Sequence, residues 1–230
     1  MMRIATLLLS AGLSLGASAT LAQERFTPPE GCTGVLTIQH RACVVMNVWT
    51  CAADDPGIQW LGLFVPQGLF TVTKVDAEFQ WLETRRASPQ SVEVLDEPSA
   101  DPSSITDLLA EGVDTYDFTT QEIVAGTTKR IVGYDMIAGE EIEIDGEPLL
   151  PIEFSYENRG PDGEVLERGV GAQYLSVRHR LFFIGRSWET ETPEDVRDMS
   201  PVEFLYPDDP GFLSTTPKYD CGLTDAGFRP

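Results

Sequence analysis

Leu69-Phe70-Thr71-Val72-Thr73-Lys74-Val75-Asp76-Ala77-Glu78-Phe79-Gln80-Trp81 is the stretch on which the fold class turns. Its odd positions run Leu69, Thr71, Thr73, Val75, Ala77, Phe79 and Trp81, while Lys74, Asp76, Glu78 and Gln80 occupy the later even ones. Successive side chains leave a strand on opposite sides, so this period of two predicts one long strand with a buried face and a wet face. Pro66-Gln67-Gly68 is turn chemistry that feeds it from the apolar run Ile58 to Val65.

The same pattern recurs outward from this stretch. Glu140 to Asp145 alternates acid and isoleucine, and Asp145-Gly146 is a compact hairpin turn before Pro151 to Tyr156. Pro161-Asp162-Gly163 turns that strand into one starting near Glu164. Gly171 to Trp188 is the longest strand candidate, with Leu175, Val177, His179, Leu181 and Phe183 on one side and Tyr174, Ser176, Arg178 and Arg180 on the other. Ala87 to Ser104 gathers Ser, Pro and Asp and is expected as a surface excursion. One helix of about ten residues interrupts the strands: Asp101 suits the N-cap, Pro102 the first helical position, Ile105, Leu108 and Leu109 form an apolar stripe, and Gly112 ends it. So short a helix must lie against the sheet. The expected fold is mainly β, a curved antiparallel sheet forming a half-open or closed barrel with one short covering helix. A two-sheet β-sandwich is the alternative.

Residues 1–22 have a different grammar. Arg3 is a short basic end, Ile4 to Leu15 an apolar run, and Thr20-Leu21-Ala22 a small-residue exit before Gln23. A membrane span needs about 20 consecutive apolar residues, and this run is broken by Ser10, Gly12, Ser14 and Gly16. It predicts a signal peptide at 1–22, with cleavage after Ala19 as the alternative, and a single β-rich domain at 23–230 in the periplasm or outside the cell. No stable membrane insertion is expected after cleavage.

Export permits disulfides. If Val35 to Gln39 and Cys43 to Trp49 form a hairpin turning at His40-Arg41, Cys32 lies opposite residues near Trp49 and reaches Cys51, which leaves Cys43 for Cys221. Closing so long a loop removes about 4 to 5 kcal/mol of chain entropy from the denatured state. A metal site is the weaker reading of these cysteines, since there is no Cys-x-x-Cys and the only histidines are His40 and His179.

The net charge of −21 becomes −22 without the leader, which holds Arg3 and no acid. A field of that sign excludes nucleic acid and anionic lipid surfaces as partners and favours cationic ones. Gly-x-Ser-x-Gly, His-Glu-x-x-His and the phosphate-binding glycine loops are all absent. His40 falls at the expected hairpin turn, as an exposed polar residue. His179 falls on an apolar strand face, and is read as a core or cavity histidine with a polar partner in preference to a catalytic base. A glycosidase pair could be drawn from Asp76, Glu78, Glu141, Glu143 and Glu153, but spacing along the chain does not reveal separation in space. Asp54-Asp55, Asp162-Gly163-Glu164 and Asp208-Asp209 lack calcium-loop spacing and read as turns.

Trp49, Trp60, Phe64, Phe79, Trp81, Tyr174, Phe182, Phe183 and Trp188 all fall on expected strands. Core packing accounts for them. A curved sheet could also gather some of them around an apolar cavity, with Phe79, Trp81, Val177, His179, Leu181 and Phe183 as its lining.

The succession Gly126-Thr127-Thr128-Lys129-Arg130, Gly139-Glu140-Glu141 and Ile144-Asp145-Gly146, closed by Arg180-Leu181-Phe182-Phe183-Ile184-Gly185, resembles an uncharacterised family of exported bacterial β-rich proteins. The meander of long strands is also similar to the half-barrel carriers of lipoprotein sorting (LolA/LolB-like), which cover their cavity with several helices where this chain has one. These readings converge on an exported, non-enzymatic binding protein for a hydrophobic ligand or a cell-envelope partner, with no cofactor and no metal. A protein-interaction module with a filled core and a carboxylate-dependent glycan hydrolase are the alternatives.

Overall fold

The computed structural model describes residues 24–87 and 89–222, so the signal peptide expected at 1–22 lies outside the described residues. The chain forms β1 (Cys32–His40), β2 (Val44–Cys51), β3 (Gln59–Val65), β4 (Gly68–Val75), β5 (Trp81–Arg86), β6 (Ser91–Asp101), helix α1 (Ile105–Glu111), β7 (Val113–Glu122), β8 (Thr127–Ile137), β9 (Ile142–Ile144), β10 (Glu147–Arg159), β11 (Val165–Ser176), β12 (Leu181–Glu189), β13 (Arg197–Asp198) and β14 (Pro201–Leu205). All strands join one antiparallel sheet in the order β13-β12-β11-β10-β8-β7-β6-β5-β4-β3-β2-β1-β14, with β9 paired to β10. The sheet is mainly a meander of neighbours in sequence, it curves, and it does not close. This is the mainly β, single curved sheet with one helix expected from the alternation, and the two-sheet sandwich is set aside.

Two expected strands are in fact hairpins. Leu69–Trp81 breaks at Asp76, whose Oδ1 accepts the amides of Glu78 and Gln80, both at 2.9 Å, and Phe79 takes a left-handed φ of 64°. Gly171–Trp188 breaks at Val177–Arg180, where Ser176 Oγ accepts the His179 amide at 3.2 Å and Arg180 has φ 52°. In both cases a side-chain acceptor closes a turn that hydrophobic alternation runs straight through. The stretch 87–104 is chiefly strand, because β6 pairs with β5 and β7. The helix starts later than its Asp-Pro signal: Ser104 is the N-cap, its hydroxyl accepting the Asp107 amide at 3.0 Å, while Asp101 ends β6 and accepts the Thr115 hydroxyl. Gly112 closes it in the left-handed region as expected. Asp145-Gly146, at φ 52° and 81°, makes the two-residue turn into β10.

The core has two layers, one on the inner face and one under α1, and they lie on opposite faces of β12, since Phe183 belongs to the first and its neighbour Phe182 to the second. Leu36, Ile38, Met46, Val48, Leu149, Leu181, Phe183 and Phe204 belong to the first. Ile105 and Leu108 of α1 press on Ile152, Leu175 and Phe182 in the second, and Phe79 touches both. A fully buried side chain such as Phe183 contributes about 2 to 3 kcal/mol by leaving water. The opposite face of β1 and β2 is covered by the segment after β14. Buried Thr37, Gln39 and Asn47 serve it: Thr37 Oγ accepts the Leu213 amide, Gln39 bonds Thr216 and Lys218, and Asn47 donates to the Ser214 carbonyl.

The disulfides are those the hairpin argument expects. Cys32 and Cys51 face each other at the open end of β1–β2, and Cys43 holds Cys221 at a sequence separation of 178. Both are bonds of a kind that persists in oxidising compartments. The hairpin turn lies at residues 41–43, one residue later than expected. His40 is therefore the last residue of β1, and it is buried: it is 1% exposed, with Nδ1 2.7 Å from the Met199 carbonyl and Nε2 without a partner.

Candidate functional site

A cleft of about 470 Å³ lies between the β2–β3 loop and the β11–β12 turn, lined among others by Asp54, Asp55, Gly57, Gln59, Arg178, His179 and Arg180. One wall stands on the Cys32–Cys51 disulfide, with Cys51 itself in the lining. Asp54 accepts Trp60 Nε1 and Lys74 Nζ, each at 2.7 Å, and these two bonds, Lys74 foremost, hold its carboxyl below the usual range. Gly57 is required there: at φ 91° its backbone suits glycine, and a Cβ would lie 2.7 Å from Ala77 Cβ.

The other wall is the turn 177–180, fixed from below. Gln59 Nε2 donates to the His179 carbonyl at 2.9 Å, and Arg180 binds Glu78 at 2.7 Å, the Ala77 carbonyl and Thr106. Under the turn sits Glu147, 1% exposed at the start of β10. Its Oε1 accepts Ser176 Oγ at 2.8 Å and its Oε2 accepts the Tyr206 hydroxyl at 2.6 Å. His179 Nε2 lies 3.5 Å from both Glu147 Oε1 and the Tyr206 oxygen. Burial outweighs the pull of Glu147 and holds the imidazole below its ordinary range. Burial first, and Glu147 second, push the Tyr206 phenol up to about 12.

Arg178 completes the site. Its guanidinium rests over the Tyr206 ring at 5.4 Å, with Glu147 Oε2 3.7 Å behind, and its side chain remains 63% exposed. It is positioned by stacking and by a buried counter-charge, and its hydrogen-bond donors stay available to a ligand. Asp55, on the facing loop, makes no ion pair among the described residues. Arg180 and Asp54, in contrast, are neutralised by Glu78 and Lys74. The cleft can thus hold a polar, charged group in a fixed pose.

The six residues expected to line a cavity do not meet around one. Leu181 and Phe183 are fully buried in the first core layer, and Phe79 packs on Phe182 at 5.1 Å between ring centroids. Trp81 is 46% exposed, its ring edge-on to Phe118, and Val177 is 42% exposed on the turn. Only His179 reaches the cleft, and it has the polar partners expected of it. The candidate carboxylates are likewise dispersed: Asp76 closes a turn, Glu78 holds α1, and Glu141, Glu143 and Glu153 face solvent. Asp209 is turn chemistry as expected, accepting the Tyr206 amide. Glu147, Tyr206 and Arg178 carried no signal in the sequence, because β14 returns to pair with β1 and that long-range pairing places Tyr206 against Glu147. No known protein family, no curated protein and no solved structure matches this chain.

Proposed function

We propose that this chain is an exported, non-enzymatic binding protein, that residues 1–22 are its signal peptide, and that the folded part engages a cell-envelope partner through the polar cleft between the β2–β3 loop and the β11–β12 turn. The observation that carries this reading is the filled inner face. Leu149, Leu181 and Phe183 are fully buried where a carrier would need room for an acyl chain, and the open recess is lined instead by Asp55, Arg178 and His179. Two disulfides and a strongly acidic surface suit an oxidising compartment outside the cytoplasm. The filled core therefore favours the interaction module over the hydrophobic-ligand carrier.

The test is site-specific photo-crosslinking in the native host. A photoreactive residue at Asp55 or Arg178 is expected to yield one discrete protein adduct, and the same residue at outward-facing Glu153 none. No adduct at either cleft position, or the same adduct at all three, refutes the assignment.

A further inference from the structure

Beneath the amino end of α1 two aspartates are cross-strand neighbours on the face of the sheet that the helix covers. Asp114 of β7 and Asp135 of β8 are direct cross-strand partners, so their Cβ atoms stand about 5 Å apart on one face. Each residue is 8% exposed. Two neutral donors serve them: the Ser104 amide donates to Asp114 Oδ2 at 2.9 Å, and Gln173 Nε2 to Asp135 Oδ1 at 2.7 Å.

The elements packed around the pair bring no positive charge. Asp101 at the end of β6, Asp107 on α1 and Glu78 in the β4–β5 turn all add negative charge beside Asp114. The phenol of Tyr116, the next residue of β7 on that face, senses both aspartates and Tyr156 of β10. Arg180, which reaches α1 through the Thr106 hydroxyl, is spent on Glu78. Neither aspartate makes an ion pair among the described residues.

We propose that Asp114 and Asp135 share one proton, and that its loss loosens α1 from the sheet, making the helix a pH-operated cover over the apolar layer beneath it. With the proton present, one carboxyl donates to the other. Without it, two buried charges oppose each other across the strand pair, and like charges directly opposite are destabilising. Asp135 is pinned by Gln173. Asp114, two residues after the Gly112 cap, is the side chain that can swing away, and doing so strips the Ser104 amide of its acceptor at the helix N-cap. Glu78 and Gln80 still hold the amides of Thr106 and Ser103, so the helix loosens and does not leave. The faces then released are Ile105 and Leu108 above Ile152, Leu175 and Phe182.

The direction follows from the shifts. Burial foremost, then the neighbouring carboxyls, raise Asp114 to about 6 and Asp135 to about 7. A carboxyl raised by folding stabilises the fold below its ordinary range, and that support is lost as pH climbs through the folded values. The cover is tight in mild acid and loose above neutrality.

Hydrogen–deuterium exchange of the amides of 104–112, corrected for intrinsic rates, tests this at about pH 5.5 and about pH 8.5. Protection is expected to fall about tenfold or more in the wild type and to stay level, within about twofold, in Asp135→Asn. Level protection in the wild type, or an equal fall in the variant, overturns the proposal. Should Asp135→Asn fail to fold, carboxyl-carbon NMR titration of the wild type decides. An aspartate titrating above about pH 5.5 supports the shared proton, and none above that value overturns it.

Discussion

Acid should unfold this protein through His40 before it reaches the bulk of the carboxylates. The imidazole is 1% exposed at the end of β1, where Nδ1–H donates to the Met199 carbonyl and so ties the β13–β14 corner to the first hairpin. Nε2 is buried without a partner, so a second proton would have no acceptor. Desolvation lowers the folded pKa to about 4, against about 6.5 in the unfolded chain. The neutral form is the one that folds, so stability is intact above pH 6.5 and is lost as pH falls toward 4. The full difference is about 3 kcal/mol, of which about 2.5 kcal/mol is gone by pH 4.5. Urea unfolding at intervals from pH 7 to pH 4.5 measures it. His40→Asn can keep the donor to Met199 and removes the titration. That variant should be less stable at pH 7, through lost packing volume, and should lose about 2.5 kcal/mol less than the wild type over the same interval. Parallel curves for the two proteins would refute the reasoning.

Replacing Cys43 and Cys221 together by serine releases the segment after β14 and should cost about 4 to 5 kcal/mol in urea, less any structure kept by the reduced chain. The hydrogen bonds of Gln39 and Asn47 to that segment should lose protection first. Phe183→Ala empties the centre of the first core layer and should cost about 3 to 5 kcal/mol by the same assay. Gly133→Ala places a Cβ 2.6 Å from the Tyr116 hydroxyl and against the Ser155 carbonyl, and should lower the thermal midpoint even though alanine favours the backbone elsewhere. Glu147→Ala leaves the buried Ser176 hydroxyl and the Tyr206 phenol without their acceptor, and should cost about 2 to 4 kcal/mol of stability and abolish crosslinking from Arg178.

Local chemistry was legible in the sequence, and long-range strand pairing was not. Pro66-Gln67, Asp145-Gly146 and Pro161-Asp162-Gly163 turn the chain where their backbone preferences demand, and the spacing of Cys32, Cys43 and Cys51 on one hairpin decided both disulfides. The breaks at 76–80 and 177–180 escaped because Phe79 and Val177 continue the apolar alternation into the turns, while Asp76 and Ser176, which close them, read as ordinary wet-face residues. His40 reads as a turn residue until β14 pairs with β1 and covers it. Asp114 and Asp135 lie 21 positions apart and become neighbours only through the register of β7 and β8. The same applies to Glu147 and Tyr206, whose bond spans 59 positions. Each depends on which strands end up adjacent, a property of the whole sheet.

The central claim is that the inner face is filled by side chains and that recognition lies in the polar cleft outside it. Native mass spectrometry of the protein purified from its own host tests this most directly. The expected result is the mass of the processed chain with both disulfides intact, alone or with a protein bound, and the complex lost on replacing Arg178. A retained lipid or other apolar small molecule, carried through purification and released on unfolding, would contradict it.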